Sequence, residues 1–587
     1  RRVKMFKLFK YLNWKEWILL VLSLAFVAGQ VWCNISLPQC TIELSEFLRM
    51  SPLSDYWVDI VLTSLKMLGY AFGVVLCAII AHYLSALVVT NLLARVRSKI
   101  FNKVNSFSHS EINKFSIPSL ITRSTNDITP LQQVLTTTIT LGLQAPMTAI
   151  LAIINIAQIS TSRAASELSW VNIISVIAII ALVSVIIFVV VPKFKKIQKA
   201  TDNLNLVTRE NLTGLKVVRA YSAEESQEKK FDNVNKKYSK LSLFVNRVMA
   251  AIEPSLSLIM QGTSLAIVWI IGTLAGTNPE IIEVMIGFTQ YSMFIIMSFT
   301  SLSVLFMFVP RGIVSGRRIN EILDTETSLA DGKGVPPTEK GTISFKNVYF
   351  RYPDSDADVL ENISFDVKQG QTIAFIGSTG SGKSTLINLI PRFYDCSEGE
   401  ILVNGVNVKD YTQHELHEMI GYVPQKGILF SGTVAQNIRY GKEDATDEEV
   451  RKAIDISQSN FVYDFPDGLD YHISQGGKNV SGGQKQRLSI ARAIIKDPDI
   501  LIFDDSFSAL DYKTDKIVRE KLNENYQNTT KVIVAQRIGT IMNADIIVVL
   551  NEGKIVGMGR HEELLQSCDV YREIALSQLS KEELENE

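Results

Sequence analysis

Between Gly377 and Ser384 the chain reads Gly377-Ser378-Thr379-Gly380-Ser381-Gly382-Lys383-Ser384, followed by Thr385. This is the pattern G-x-x-x-x-G-K-[ST], and it lies between an apolar run, Thr372–Gly377, and a helix-like stretch, Ser384–Ile390. Glycines there let backbone N–H groups curl round phosphate oxygens at a helix N-terminus. Lys383 is expected to reach the β- and γ-phosphates, and the Ser384 hydroxyl to hold Mg²⁺. A second apolar run, Ile500–Phe503, ends in Asp504-Asp505. An acidic residue at such a strand end is where a phosphoryl-transfer enzyme keeps its Mg²⁺-side carboxylate, the role expected of Asp504. Together these residues point to a nucleoside triphosphate bound with Mg²⁺.

A third group is Ser481-Gly482-Gly483-Gln484, which precedes the helix-like KQRLSIARAII. It forms another anion-binding helix start, about 100 residues from the first. One nucleotide does not need two such cradles from one chain, so the second is expected to serve a nucleotide held by another subunit. The five cysteines, Cys33, Cys40, Cys77, Cys396 and Cys568, show no CxxC pair and no metal-ligand spacing. Cys33 and Cys40 flank the end of the first apolar run, and spacing does not fix whether they pair.

These groups need elements to hold them, and the composition divides the chain in two. Of 587 residues, 47% are hydrophobic and 20% charged, with a formal net charge of -1. That balance gives no reason to expect nucleic-acid binding, which usually shows as a strongly basic stripe, and disordered, collagen-like and small disulfide-scaffold classes are excluded. Nearly all long apolar runs lie in residues 1–310, while 340–587 reads as a soluble domain. Six stretches, roughly 17–35, 58–88, 135–160, 170–192, 252–275 and 281–310, reach the length of about 20 apolar residues needed to span a bilayer. Trp170–Val191 carries no charge at all. The first run follows a basic segment but lacks a small-residue cleavage site, so it reads as a retained span.

Lys and Arg distribute unevenly between the connections. Arg1, Arg2, Lys4, Lys7, Lys10 and Lys15 precede span one, and Arg95, Arg97, Lys99, Lys103, Lys114 and Arg123 follow span two. Only Arg49 lies in residues 36–57. Both termini and the soluble domain are therefore expected on the cytoplasmic side of the cell membrane. The two inner connections run to about 45 and 60 residues without breakers and read as helices continuing beyond the membrane. Each is expected to turn at a transverse segment, near 109–122 and near 210–222. Residues 3–14 alternate basic and apolar at helical spacing, as an elbow helix on the membrane surface would. Asp324–Lys340, polar and carrying two prolines, reads as a linker. The expected organisation is a membrane domain over 1–320, a linker over 321–340 and a nucleotide-binding domain over 341–587.

With the motifs in this order, residues 340–575 resemble the nucleotide-binding domain of an ABC transporter, and residues 1–320 the six-span membrane domain of the exporter type. The resemblance implies a multi-domain membrane protein: an all-α six-helix transmembrane domain, then an α/β P-loop ABC nucleotide-binding domain. It implies that Tyr352 stacks on adenine and that Gln425 is the Q-loop residue, near the catalytic water and the Mg²⁺. Ser481–Gln484 would be the signature motif and Ser508–Asp511 the D-loop. Such domains dimerise head to tail, with ATP between one chain's P-loop and the other's signature. Membrane lipids, small amphipathic substrates and a second half-transporter subunit are the expected partners.

Two positions depart from the family pattern. The residue after Asp504, normally a Glu acting as general base, is Asp505; the switch residue, normally His, is Gln536. Asp is one methylene shorter, and misplacing a catalytic group by about an ångström can cost on the order of 100-fold. Gln536 can donate a hydrogen bond to phosphate but cannot become a cation. The resemblance therefore narrows to the degenerate-site subunit of bacterial heterodimeric multidrug ABC exporters. In that reading the chain's own site is slow and its intact signature completes the partner's. The alternative is a homodimeric lipid or peptide exporter with two slow sites. A smaller departure, Ser474–Gly477, falls where the family tends to a Gly-Glu-Arg-Gly-like stretch. Thr136–Thr140, Gln144, Gln261, Gln290, Tyr291 and Phe294 could line a cavity for amphipathic molecules, or belong to ordinary helix packing.

Overall fold

A computed structural model describes residues 4–50, 53–159, 163–274, 281–353 and 355–578. The chain divides into two compact units, Arg1–Asn105 with Pro118–Thr325, and Ser106–Ile117 with Glu326–Glu587. The first is helical: α1 (Trp14–Arg49), α2 (Trp57–Asn105), then, beyond α3 (His109–Phe115), which clusters with the second unit, α4 (Ile117–Ser124), α5 (Ile128–Ile159), α6 (Arg163–Val185), α7 (Val191–Thr213), α8 (Leu215–Ala220), α9 (Glu224–Leu274) and α10 (Ile281–Asp324).

Six helical segments among the described residues are long and apolar enough to cross a membrane. Leu65, Leu68, Phe72, Val75 and Ile79 of α2 are all exposed. They recur at intervals of three and four residues, one face of a helix, which suits a lipid-facing stripe better than water. At 1.5 Å per residue the 49 residues of α2 span about 70 Å, more than twice a hydrocarbon core. The helix must therefore project beyond the membrane, as must α9 with 51 residues. Small residues let α1 and α2 approach: a Cβ on Gly73 would meet Cys33 Sγ at 3.0 Å, and Ser23 Oγ donates to Ala81 O at 2.9 Å. All five cysteines are free; Cys33 lies against α2 and is not joined to Cys40.

Differences from the sequence reading have local causes. The elbow segment is a 3-10 helix, Lys4–Tyr11. It is tied down by long-range polar contacts: Lys7 Nζ pairs with Asp324 at 2.8 Å, and Arg95 bonds both the Tyr11 carbonyl and the Glu16 carboxylate. The fourth span ends in a π-helical turn, Ile186–Val190, just before Pro192, whose ring has no N–H and crowds the preceding turn. The stretches expected to turn, near 109–122 and 210–222, contain the short helices α3, α4 and α8. α10 continues to Asp324, so the first four residues of the expected linker are helical.

The second unit contains β1 (Ile343–Phe350), β2 (Leu360–Val367), β3 (Thr372–Gly377), β4 (Glu398–Val403), β5 (Val406–Asn407), β6 (Ile420–Val423), β7 (Gly432–Thr433), β8 (His472–Ile473), β9 (Ile500–Asp504), β10 (Thr530–Val534), β11 (Ile546–Asn551) and β12 (Lys554–Gly559). Six of these strands form one sheet, ordered β12-β11-β3-β10-β9-β6, parallel except for β12. A four-stranded antiparallel sheet, β2-β1-β4-β5, forms separately.

The parallel strands are apolar throughout because both faces are covered. On β3, Ile373 and Phe375 join Leu386 and Ile390 in one core, while Ala374 and Ile376 join Leu488 and Ile494 in the other. Parallel pairing aligns Val534 with both Asp504 and Phe375. The carboxyl ends of β3, β9 and β10 thereby bring Gly377, Asp504-Asp505 and Gln536 to one edge, where open α/β sheets bind ligands.

Candidate functional site

The loop after β3 turns back on itself before the helix Lys383–Leu389. Gly377 (φ +154°) passes so close to β11 that a Cβ would lie 2.0 Å from Leu550 O; Gly380 (φ +86°) has no atom within 4 Å of a Cβ position. The first needs glycine for close approach, and the second leaves the loop's mouth open. Lys383 folds over this mouth, donating to Gly377 O at 2.8 Å, Ser378 O at 2.7 Å and Ser381 Oγ at 3.3 Å. Burial pushes its ammonium below the usual lysine range, against the opposing pull of Asp505 and Asp504.

Ser384 Oγ donates to Asp504 Oδ1 at 2.9 Å. Asp504 is buried, and burial raises its carboxyl although the Ser384 bond and Lys383 work the other way. A cation would relieve that cost. A hydroxyl and a carboxylate meeting behind an open N–H cradle form a hard-oxygen donor pair. The residues present thus fit a Mg²⁺-nucleotide: Ser384 and Asp504 would hold the metal, and Lys383 with the loop N–H groups the phosphates. The bound metal would supply neutralisation of phosphate charge.

Tyr352 donates or accepts a hydroxyl bond with Thr385 at 2.9 Å, and its ring stands perpendicular to Tyr394 (5.3 Å, 90°) and nearly so to Phe350 (4.8 Å, 84°). The aromatic is therefore locked against the helix that begins at Lys383. Tyr394 was not found from the sequence. Its ring also lies 6.0 Å from His109 of α3, which is 5.3 Å from Phe393. Sequence separation hides this contact, and no local motif marks it.

Gln425 turns to Asp505 and not to Asp504. Its Nε2 donates to Asp505 Oδ2 at 3.2 Å, and Gln536 Nε2 donates to the same oxygen at 2.9 Å. Asp505 sits at φ +45°, which Asp tolerates better than most residues, and its N–H donates to Val534 O at 3.0 Å. The three sequence-predicted catalytic positions thus converge on one carboxylate oxygen.

Ser481 caps the helix Gly482–Ile494: its Oγ accepts from Gln484 N–H at 3.3 Å, and its own N–H donates to Gln484 Oε1 at 2.8 Å. This capping box satisfies two orphan helix donors. A Cβ on Gly482 would meet nothing within 4 Å, whereas one on Gly483 would lie 3.3 Å from Ala509 O. Among the described residues, no hydrogen bond links Ser481–Gln484 to Gly377–Thr385. In the membrane unit, Tyr291 is fully buried among Phe288 and Ile295 and serves packing.

Two family profiles match the chain: the ABC transporter transmembrane region over residues 20–299 and the ABC transporter domain over 360–508. An uncharacterised ABC transporter ATP-binding protein of Mycobacterium tuberculosis is 37% identical over 519 residues, covering 87% of this chain and 88% of the relative. A Bacillus subtilis protein named as a probable multidrug resistance ABC transporter ATP-binding/permease protein is 37% identical, covering 65% of this chain and 66% of its own length. The solved structure of a bacterial Atm1-family ABC exporter with ATP bound superposes with a TM-score of 0.79 over 97% of this chain and all of its own, at 21% identity. The open cradle, the Ser384–Asp504 pair and the six long apolar helices thus have one setting: this chain belongs to the ABC transporter family, as a multi-pass half-transporter of the exporter type whose ATPase domain couples ATP hydrolysis to transport.

Proposed function

We propose that this chain is the degenerate-site half of a heterodimeric exporter that moves amphipathic organic compounds out across the cytoplasmic membrane. Its termini and nucleotide-binding domain lie inside, as the Lys/Arg asymmetry of the connections supports. ATP held by Lys383 and Asp504 is hydrolysed slowly, and Ser481–Gln484 complete the working site on a partner that carries Glu and His at the two altered positions.

The observation that carries this reading is the double occupancy of Asp505 Oδ2 by Gln425 and Gln536. A general base needs a carboxylate oxygen aimed at the water it deprotonates. Here the shorter side chain spends one oxygen on two amides, which ties the loop after β6 to the loop after β10. Gln536 gives its N–H to this contact and brings no cation toward a γ-phosphate. Asp505 acts as a positioning residue in this arrangement. The name of the Bacillus subtilis relative supports a multidrug type of cargo.

The test is Asp505→Asn in the assembled complex. Asn keeps an acceptor for both glutamines, so ATP turnover should stay within about twofold. A fall of about 100-fold, the usual cost of removing a working base, makes Asp505 that base and overturns the proposal. Intact-mass spectrometry of the complex from its host membrane separates a second, different half-transporter from two copies of this chain.

A further inference from the structure

A cavity of about 490 Å³ opens in the membrane unit between α5, α6 and α10. Its walls are Ile153 and Ile156 of α5, Ile173, Val176 and Ile177 of α6, and Ile295 of α10. One polar side chain, Asn172, interrupts them. It is 9% exposed, and its Nδ2 has no hydrogen-bond partner among the described residues. Its Oδ1 lies within bonding distance of Ser292 Oγ, which is equally close to Phe288 O. Ser292 has a single hydroxyl proton. If that proton goes to the Phe288 carbonyl, the amide turns and Oδ1 becomes the idle atom. In either orientation one polar atom of Asn172 is left over. The neighbouring polar residue on this stretch of α6, Ser175, is by contrast satisfied by Val171 O at 2.8 Å and by Thr263.

A buried amide without a partner is costly wherever the site around it excludes water. Lipid acyl chains can fill the apolar space but give Asn172 nothing. We propose that the cavity is a binding site for an uncharged, mostly apolar molecule carrying one hydroxyl, which can donate to Oδ1 or accept from Nδ2. The volume lies in the range of small-molecule pockets. Among the described residues the wall carries no charged side chain, which disfavours ionised ligands. The inference deepens the proposed export function by naming a cargo class, but binding needs no nucleotide and stands apart from turnover.

The experiment uses the complex in lipid nanodiscs without ATP, with 1-hydroxypyrene as probe and pyrene as its hydroxyl-free control. Saturable binding is measured against empty nanodiscs of the same lipid. The expected result is about tenfold tighter binding of the hydroxylated probe, the contribution of one hydrogen bond to a buried amide. Asn172→Leu should erase that preference while leaving pyrene affinity unchanged. Ile177→Trp, at an exposed wall position, should fill the space and abolish saturable binding of both probes. Equal affinities in the parent complex, a preference that survives Asn172→Leu, or unchanged binding in Ile177→Trp each overturn the inference. A complex that hydrolyses ATP yet binds neither probe overturns it too, and leaves the export reading in place.

Discussion

The nucleotide-binding domain contains two glycine-bearing helix starts, and they differ in what stands behind them. The loop Gly377–Ser384 is backed by a buried carboxylate, Asp504, bonded to Ser384, and is covered by Lys383. The start at Ser481 is capped by its own side chains, and open space surrounds Gly482. Both offer N–H groups to an anion, yet only the first combines them with a lysine and a metal-type hydroxyl–carboxylate pair. The same phosphate-binding device can therefore be a whole cradle or half of one. In the proposed dimer, a complete site would be assembled from one of each kind.

The sharpest way to break this contrast is to load the second cradle with charge. Gly482→Asp introduces a carboxylate where a Cβ meets nothing, so folding should be unaffected. Turnover of the assembled complex should fall by about 100-fold or more, as when a stabilising donor is lost from an active site. An unchanged rate would show that this cradle completes no working site. Lys383→Met acts on the first cradle: nucleotide affinity of this chain should drop about 30-fold, the scale of a lost charge-assisted bond. Fluorescent nucleotide titration of the isolated chain measures it. If the affinity holds, the lysine stays folded on the carbonyls of Gly377 and Ser378 in the bound state as well.

A third change adds what the family pattern has and this chain lacks. Asp505→Glu with Gln536→His should raise turnover at this chain's site by about tenfold, because the longer carboxylate recovers part of the misplaced distance. The rate is measured with the partner's site disabled. The double change is needed, since a lone Glu would still meet the Gln536 amide, which makes the shorter of the two bonds to Asp505 Oδ2.

What the sequence exposes and what it hides follow from separation along the chain. The P-loop, the Ser481 cap and the end of β9 are contiguous patterns, so their chemistry can be read residue by residue. The long apolar runs behave the same way, and six spans emerge from length and charge alone. The convergence of Gln425, Asp505 and Gln536 depends on the order β10-β9-β6, which no local pattern encodes. Tyr394 touches both Tyr352 and His109 only because α3 clusters with a domain that begins some two hundred residues later. Asn172 reads as one polar residue in an apolar run until the helices that flank it are known. Tyr291 reads from the sequence equally as cavity lining or as helix packing, and its burial in the cluster with Phe288 and Ile295 favours the second.

The smallest expected effect concerns how α3 is held in that domain. Ser108 caps α3, and Glu111 accepts from the Ser108 N–H at 2.8 Å, from the Ser108 hydroxyl at 2.6 Å and from the Ser328 N–H at 3.1 Å. Burial alone would raise the Glu111 carboxyl, but these bonds outweigh it and hold the group below its ordinary value of 4.5. A carboxyl lowered in the folded state contributes stability that is present above pH 4.5 and is lost as pH falls through the folded value. Glu111→Gln keeps one acceptor and removes the charge, so at pH 7 it should cost about 1 kcal/mol and speed hydrogen exchange of the α3 amides about fivefold. As pH falls below 4.5 and through the lower folded value, the two proteins should converge once intrinsic exchange rates are divided out, because a protonated Glu111 offers little more than a glutamine. A difference that persists undiminished at low pH would assign the effect to side-chain packing and remove the carboxylate from the anchoring of α3.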